Sequence, residues 1–294
     1  MIGSLRAPLA RADVDAYLRR LRLAPEPPSA EALGRLHRAQ VEHVPYETIW
    51  IHLGERRGID PIDSFRRVAH DRRGGYCYHL NGAFFELLGA LGYRVSRHIG
   101  GVHGPEGPTS DSLTNHLVLV VEGLPTDANP EGNWYVDAGL GDALYEPLPL
   151  VASSYQQSPM RFELTETNDG VGDWHLAHDP IGSFAGMSFR LGAVSIDVFR
   201  KRHAYLSRSP ESGFVKVLTA QRRHATGVDV LRGLVLTRID GESRVERVLD
   251  QPRDWLEVIT ELFGMRLDAE PSALAALWAK VSAAHDAWLR STEA

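Results

Sequence analysis

The residue with the most chemical potential in this chain is its single cysteine. Cys77 sits in Arg72-Arg-Gly-Gly-Tyr-Cys-Tyr-His-Leu-Asn81. Gly74-Gly75 lets the backbone turn tightly. The apolar positions that follow, Leu80, Ala83, Phe84, Leu87, Leu88 and Leu91, repeat with helical spacing. A helix therefore starts at or just after Cys77, with Gly92 as its C-cap. The N-terminal end of a helix carries partial positive charge and free N–H groups, which favour a thiolate and can hold an oxyanion. A thiolate nucleophile needs a base, and the base needs an orienting group. His116 opens the strand-like run His116-LVLVVEG, and Asp137 closes the run Asn133-WYVDAGL. If these runs pair antiparallel, His116 and Asp137 meet at one edge of the sheet. A carboxylate after Trp-Tyr-Val is also costly to bury without a partner. Taken singly, the three residues fit a small core side chain, a strand cap and a turn. Their joint placement on a helix start, a strand start and a strand end favours a Cys-His-Asp triad.

Other candidates carry less. Cys77, His79, His116 and Asp137 have the ligand types of a zinc site but no paired cysteine spacing, so no metal is expected. His175 and His178 lack the spacing and the Glu of a metalloprotease motif. Gly139-Leu-Gly-Asp142 lacks the third glycine of a dinucleotide fingerprint, although Gly139 and Gly141 would bring backbone close to a substrate.

The elements that must position these residues change character along the chain. Up to residue 93 the pattern is helical. Asp13 is the expected N-cap of a first helix, a second starts near Ala30, and Pro45 stops it. From 94 to 209 short β-branched and aromatic runs alternate with Gly, Pro, Asn and Asp loops. From 210 to 294 two strands, starting at Phe214 and Val230, precede helices starting at Asp254 and Ser272. This is an α+β chain divided as 1–93, 94–209 and 210–294. Its 294 residues bury enough apolar surface to fold without a metal or disulfide, and one cysteine excludes an intramolecular disulfide. Lys+Arg 32 against Asp+Glu 38 gives a net charge of −6, the wrong sign for a nucleic-acid binder. The start has no uninterrupted apolar stretch of the signal-peptide kind. The longest clean apolar run, Leu117 to Val121, is far short of a membrane span. A cytoplasmic protein is expected.

The motifs together resemble the arylamine N-acetyltransferase family. RGGYCYHLN is similar to its Arg-Gly-Gly-x-Cys nucleophile motif, NHLVLVV to its histidine strand, and WYVDAGLGD to its Val-Asp-x-Gly-x-Gly segment. HVPYETIWIHLG resembles its Pro-Phe-Glu-Asn segment, and LSRSPESGFVKVL and ELFGMRL resemble its C-terminal region, so nearly the whole chain is covered. The resemblance implies a helical bundle, an antiparallel β-barrel and a C-terminal α/β lid around a cysteine-protease-like core. It implies ping-pong acyl transfer from acetyl-CoA, a co-substrate rather than a bound cofactor, to a small-molecule amine. By that resemblance Cys77 is the nucleophile, His116 the proton carrier and Asp137 its orienting acid. The amides of Cys77 and Tyr78 become the oxyanion donors. Tyr46, His79, Leu140 and Phe214 become the substrate pocket, and Gly139 and Gly141 the acyl-donor contacts.

There are departures from the family pattern. His79 stands where the family has Glu, which changes the charge beside the thiolate. Leu140 replaces a pocket aromatic, and Tyr46 and Thr48 replace the Phe and Asn of Pro-Phe-Glu-Asn. The loops 100–112 and 123–133 are long. These changes point away from simple arylamines. An amide synthase that takes its acyl chain from an acyl carrier protein is a close variant. A thiol hydrolase with the same triad order and a non-catalytic binding module are the readings from other classes.

Overall fold

The computed structural model describes residues 9–292 apart from 169 and 242; residues 1–8, part of the stretch screened above for a leader, lie outside them. The first third is helical: α1 (Arg11–Leu21), α2 (Ala30–His43), α3 (Ile49–His52), α4 (Pro61–Asp71) and α5 (Cys77–Ala90), with a short strand β1 (Tyr46–Glu47) between α2 and α3. Local chemistry sets most of the boundaries. Ser29 Oγ accepts from Ala32 N at the start of α2, and Val44-Pro45 ends it. Asp60 caps α4, with Pro61 in the first turn. Asp13 is not the cap of α1. The helix begins two residues earlier, after Ala10, and Asp13 instead accepts a hydrogen bond from His70 on α4.

An eight-stranded antiparallel sheet follows, in the order β5-β4-β3-β2-β9-β8-β7-β6, and curls into a nearly closed barrel. Its strands are β2 (Arg94–His103), β3 (His116–Glu122), β4 (Trp134–Val136), β5 (Leu148–Pro149), β6 (Ser153–Gln157), β7 (Met160–Glu166), β8 (Trp174–Ala177) and β9 (Gly186–Ala193). β3 is apolar on both faces because both are covered. Leu119 and Val121 pack with Leu80, Phe84 and Leu87 of α5, while Val118 joins Tyr135, Met187 and Phe189 inside the barrel.

The last third begins with a 3-10 turn (Ile196–Phe199), α6 (Arg200–Arg208) and α7 (Gly213–Lys216). The strands β10 (Thr219–His224), β11 (Gly227–Arg232), β12 (Val235–Asp240) and β13 (Ser243–Val248) form a second sheet with β1, and α8 (Pro252–Glu257), a π-helical turn (Val258–Leu262) and α9 (Pro271–Thr292) close the chain. Two expectations are corrected here. The run from Phe214 starts as a helical turn, because Ser212 Oγ caps Phe214 N, and becomes strand only at Thr219. The run from Val230 is two strands folded back at Gly233, where φ is +60°.

Two buried polar joints tie these parts together. Arg223 donates to the carbonyls of Ala143, Gln157, Ser158, His224 and Gly227, fastening β10 to the barrel rim. Glu47 is fully buried and its Oε1 accepts from Arg67 at 2.9 Å and Arg73 at 3.0 Å. Burial alone would raise the Glu47 pKa, but the two guanidiniums outweigh it and hold the carboxyl below its ordinary value. Arg73 immediately precedes Gly74, where a Cβ would lie 1.8 Å from the Pro45 carbonyl oxygen. The turn into α5 is thus held by charge and by the absence of a side chain. Glu47→Gln removes the buried charge that both guanidiniums share, leaving Arg67 and Arg73 only their longer contacts to Glu55 at 3.7 and 3.5 Å, and should cost about 3 kcal/mol in urea unfolding; a loss below about 0.5 kcal/mol contradicts this account.

Candidate active site

Cys77 is the first residue of α5, and Tyr76 before it is extended, with no side-chain cap. His79 N and Leu80 N both donate to Tyr76 O. The amides of Cys77 and Tyr78 open the helix and have no intrahelical acceptor. The sulfur lies 3.7 Å from the Asn115 carbonyl oxygen, at the end of the loop that delivers His116. That loop is fixed from both sides. The Asn115 side-chain amide accepts from Val102 N and donates to Val102 O, both at 2.8 Å, and Tyr78 Oη donates to Thr114 O at 2.5 Å.

β3 and β4 pair antiparallel, with Leu119 opposite Val136, so Asp137 follows the paired segment on the side where His116 begins. His116 Nε2 donates to Asp137 Oδ2 at 2.7 Å, leaving Nδ1 for the sulfur. The carboxylate is saturated. Tyr135 Oη donates to Oδ2 at 2.8 Å, and Asn81 Nδ2 and Gly139 N donate to Oδ1 at 2.7 and 3.0 Å. Asn81 also donates to Leu117 O and accepts from Ala138 N. Burial opposes a charged imidazole at His116, but Asp137 and Cys77 outweigh it and raise its pKa to about 10. Gly139 closes the assembly: a Cβ there would sit 2.8 Å from Cys77 Cα.

A cavity of about 340 Å³ opens above these groups, lined by Cys77, His116, Tyr46, Gly139, Leu140 and Phe214 among others. Arg202 and Arg232 also line it, and its described lining residues include no carboxylate.

The sequence profile of the N-acetyltransferase family matches residues 29–272. The chain belongs to the arylamine N-acetyltransferase family. It is 27% identical over 269 residues to the pineal gland isozyme of Gallus gallus, covering 83% of this chain and 90% of that one. It is 28% identical to arylamine N-acetyltransferase 1 of Homo sapiens, over 76% of this chain and 82% of that one. The Mycobacterium marinum enzyme solved with CoA superposes with a TM-score of 0.80 at 25% identity, over 91% of this chain and 99% of that one. The Salmonella typhimurium enzyme shares the fold, with a TM-score of 0.79 at 24% identity, covering 92% and 100%. As a member of the arylamine N-acetyltransferase family, this chain is an acetyltransferase-like enzyme whose co-substrate is acetyl-CoA. No helix among the described residues is long and apolar enough to cross a membrane, and no cluster of potential metal ligands occurs among them.

Two residues assigned above to substrate contact lie outside the cavity lining. His79 packs behind Cys77 against Trp50, Tyr76 and His203, with Nε2 bonded to the Gly58 carbonyl at 3.1 Å. Burial, reinforced by His203 and Arg67, pushes its pKa down to about 3, so it brings no positive charge to Cys77. Gly141 instead takes a positive φ of +75°, a backbone conformation that favours glycine. Asn81, Tyr135 and Asn115 went unnoticed in the sequence, yet each carries a positional signal. Asn81 is one helical turn after Cys77, Tyr135 is two strand residues before Asp137, and Asn115 precedes His116.

The folded chain holds the His116 proton to about pH 10, against an ordinary value of 6.5. This contribution to stability is complete below about pH 6.5 and is lost as pH rises through the folded-state value. Asp137→Asn removes the main support of the shift. Urea unfolding from pH 6.5 to 10 should therefore show the wild type losing more stability than Asp137→Asn, and parallel profiles would contradict the assignment.

Proposed function

We propose that Cys77, His116 and Asp137 carry out ping-pong acetyl transfer from acetyl-CoA to an amine. The observation that carries this reading is the convergence of Cys77 and the Asp137-bound His116 on one cavity at the start of α5. Cys77 Sγ, as a thiolate beside the His116 imidazolium, attacks the thioester carbonyl, forming the new C–S bond. Negative charge collects on the carbonyl oxygen, and the amides of Cys77 and Tyr78 stand ready to receive it. Collapse breaks the bond to CoA, whose thiolate leaves with the His116 proton. The amine then attacks the acetyl-cysteine, gives its proton to His116, and the amide departs as the thiolate reforms. Asp137 keeps the imidazole oriented through both halves. The division of the chain at residues 93 and 209 assigns the nucleophile to the helical part, the base and acid to the barrel, and the cavity's outer wall to the last part.

Two features refine the substrate. The cavity is at the small end of ligand sites, which supports an acetyl-sized acyl group over a long chain delivered by a carrier protein. Arg202 and Arg232, with no carboxylate beside them among the described lining residues, suit the phosphates of a CoA thioester.

Incubation with acetyl-CoA should add one acetyl group to the intact mass, located on Cys77 and discharged by amine. Cys77→Ala should take no label and should lower turnover by on the order of 10⁶. An unlabelled wild type would overturn the transferase reading, and discharge to water at the same rate with and without amine would favour a thiol hydrolase. Arg202→Gln should raise the KM for acetyl-CoA severalfold at low ionic strength and much less in high salt; an unchanged KM removes the arginine from the donor site.

A further inference from the structure

A second cavity, of about 680 Å³, shares no lining residue with the one above Cys77. The ends of α1, α2 and α4, strand β10 and the turn at 260–264 form its walls. Five arginines converge there: Arg19, Arg20 and Arg22 at the end of α1, Arg72 at the end of α4, and Arg222 from β10. Two carboxylates share the lining. Glu42 accepts from Tyr145 Oη at 2.5 Å, and Glu261 is exposed. Among the described residues no carboxylate pairs with Arg19, Arg20, Arg22 or Arg72. Arg222 reaches Asp229 at 3.0 Å, yet its Nε is buried with no hydrogen-bond partner among those residues.

A cation in the last turn of a helix complements the helix dipole, which suffices for the exposed Arg19. It does not account for Arg20. Its Nη1 donates to Gly264 O at 3.2 Å, while Nε and Nη2 are buried with no partner among the described residues. Burial, and next Arg72, lower its pKa to about 10, with Arg22 adding to the effect and Tyr17 opposing it. These guanidiniums therefore stand close enough to repel, and Arg20 still carries its charge at neutral pH. The backbone adds a second cost. Arg22 closes α1 at φ +60° and Arg72 closes α4 at φ +53°, the left-handed conformation that glycine or asparagine usually supplies at a helix end. Folding thus gathers like charges and strains two arginine backbones at the rim of one cavity.

We propose that this cavity binds a small molecule carrying two or more linked phosphate groups. A guanidinium presents a planar fork that matches phosphate oxygens, and five forks that outnumber two carboxylates suit an anion of several charges. A concave site of about 680 Å³ holds a ligand of nucleotide size and leaves no flat basic face for a nucleic-acid duplex. The chain as a whole carries a net charge of −6, so the basic character is local to the cavity. Arg72 directly precedes Arg73, whose bond to Glu47 holds the turn into α5. A ligand that draws Arg72 inward therefore adds to the hold on that turn. The site is separate from the acetyl-transfer cavity, and acetylation of Cys77 has no bearing on whether it binds phosphates.

The probe is tripolyphosphate, titrated calorimetrically into the full chain in metal-free buffer of low ionic strength, with ATP as a second arm. One ion should bind per chain, and the thermal unfolding midpoint should rise with its concentration. Arg22→Asn and Arg72→Asn should each weaken binding by roughly tenfold, because asparagine tolerates the left-handed backbone but brings no charge. Arg20→Gln should weaken it at least as much. Arg202→Gln, in the other cavity, should leave it unchanged, and added salt should raise the Kd. ATP binding more tightly than tripolyphosphate makes the ligand a nucleotide, and equal affinities make it the phosphate chain alone; both support the site. If Arg20→Gln fails to fold, the Arg22 and Arg72 variants decide, since both side chains are exposed. No binding at millimolar probe, binding unchanged in Arg22→Asn and Arg72→Asn, or binding lost in Arg202→Gln alone overturns the proposal. A single-stranded RNA that binds more tightly than either probe overturns the assignment to a small ligand.

Discussion

The structure depends on one buried hydrogen-bonded joint, the amide of Asn81 against the carboxylate of Asp137. Asn81 stands on α5, one turn after Cys77, and reaches Asp137, Leu117 O and Ala138 N in the barrel. The side chain that registers α5 against β3 and β4 therefore also satisfies the carboxylate that His116 bonds. A buried carboxylate is tolerated only when its lone pairs are filled, and four donors fill those of Asp137. Loosening the joint would displace Cys77 from His116 and unpair a buried carboxylate together.

Around that joint the chain uses charge and close approach where side-chain packing alone would leave the backbone free. The Glu47, Arg67 and Arg73 cluster fixes the turn before α5, and Gly74 and Gly139 let neighbouring backbone come within contact distance. Each such position is costly to change; Arg73, Gly74 and Gly139 lie within a few residues of Cys77 or Asp137, and Glu47 and Arg67 reach the same turn from farther along the chain. The same logic extends outward. Arg223 fastens the last third to the carbonyl of Ala143, while Asp142 beside it holds the loop of Phe184. One short segment, 137–143, thus carries the carboxylate that His116 bonds, a wall of the cavity and two anchors.

Much of this was legible in the sequence because it is written in local signals. The helical repeat after Cys77, the strand runs at His116 and Trp134, and the stop at Pro45 all fall where the structure has them. The meeting of His116 and Asp137 was legible because antiparallel pairing of two strands joined in sequence admits few registers, and the actual one brings them together. Where local signals compete, the reading failed. Asp13 has the chemistry of a cap but bonds His70 instead, and the apolar run around Val230 conceals a reversal at Gly233 that only a positive φ makes visible. Helix α4 and strand β13 went unread, β13 because all of its residues are exposed and it carries no buried face.

The sequence by itself determined the family, and singled out Cys77, His116 and Asp137 as the proposed nucleophile and its partners, since these follow from residue type and near-neighbour spacing. Only the tertiary structure decided which side chains face the cavity. His79, two residues from Cys77, turns behind the helix start, because successive helical residues point about 100° apart. Phe184, more than a hundred residues away, is brought to the cavity because Asp142 binds its loop across 41 positions of sequence. Contacts of that range depend on how the strands curl, and no local pattern in the chain encodes them.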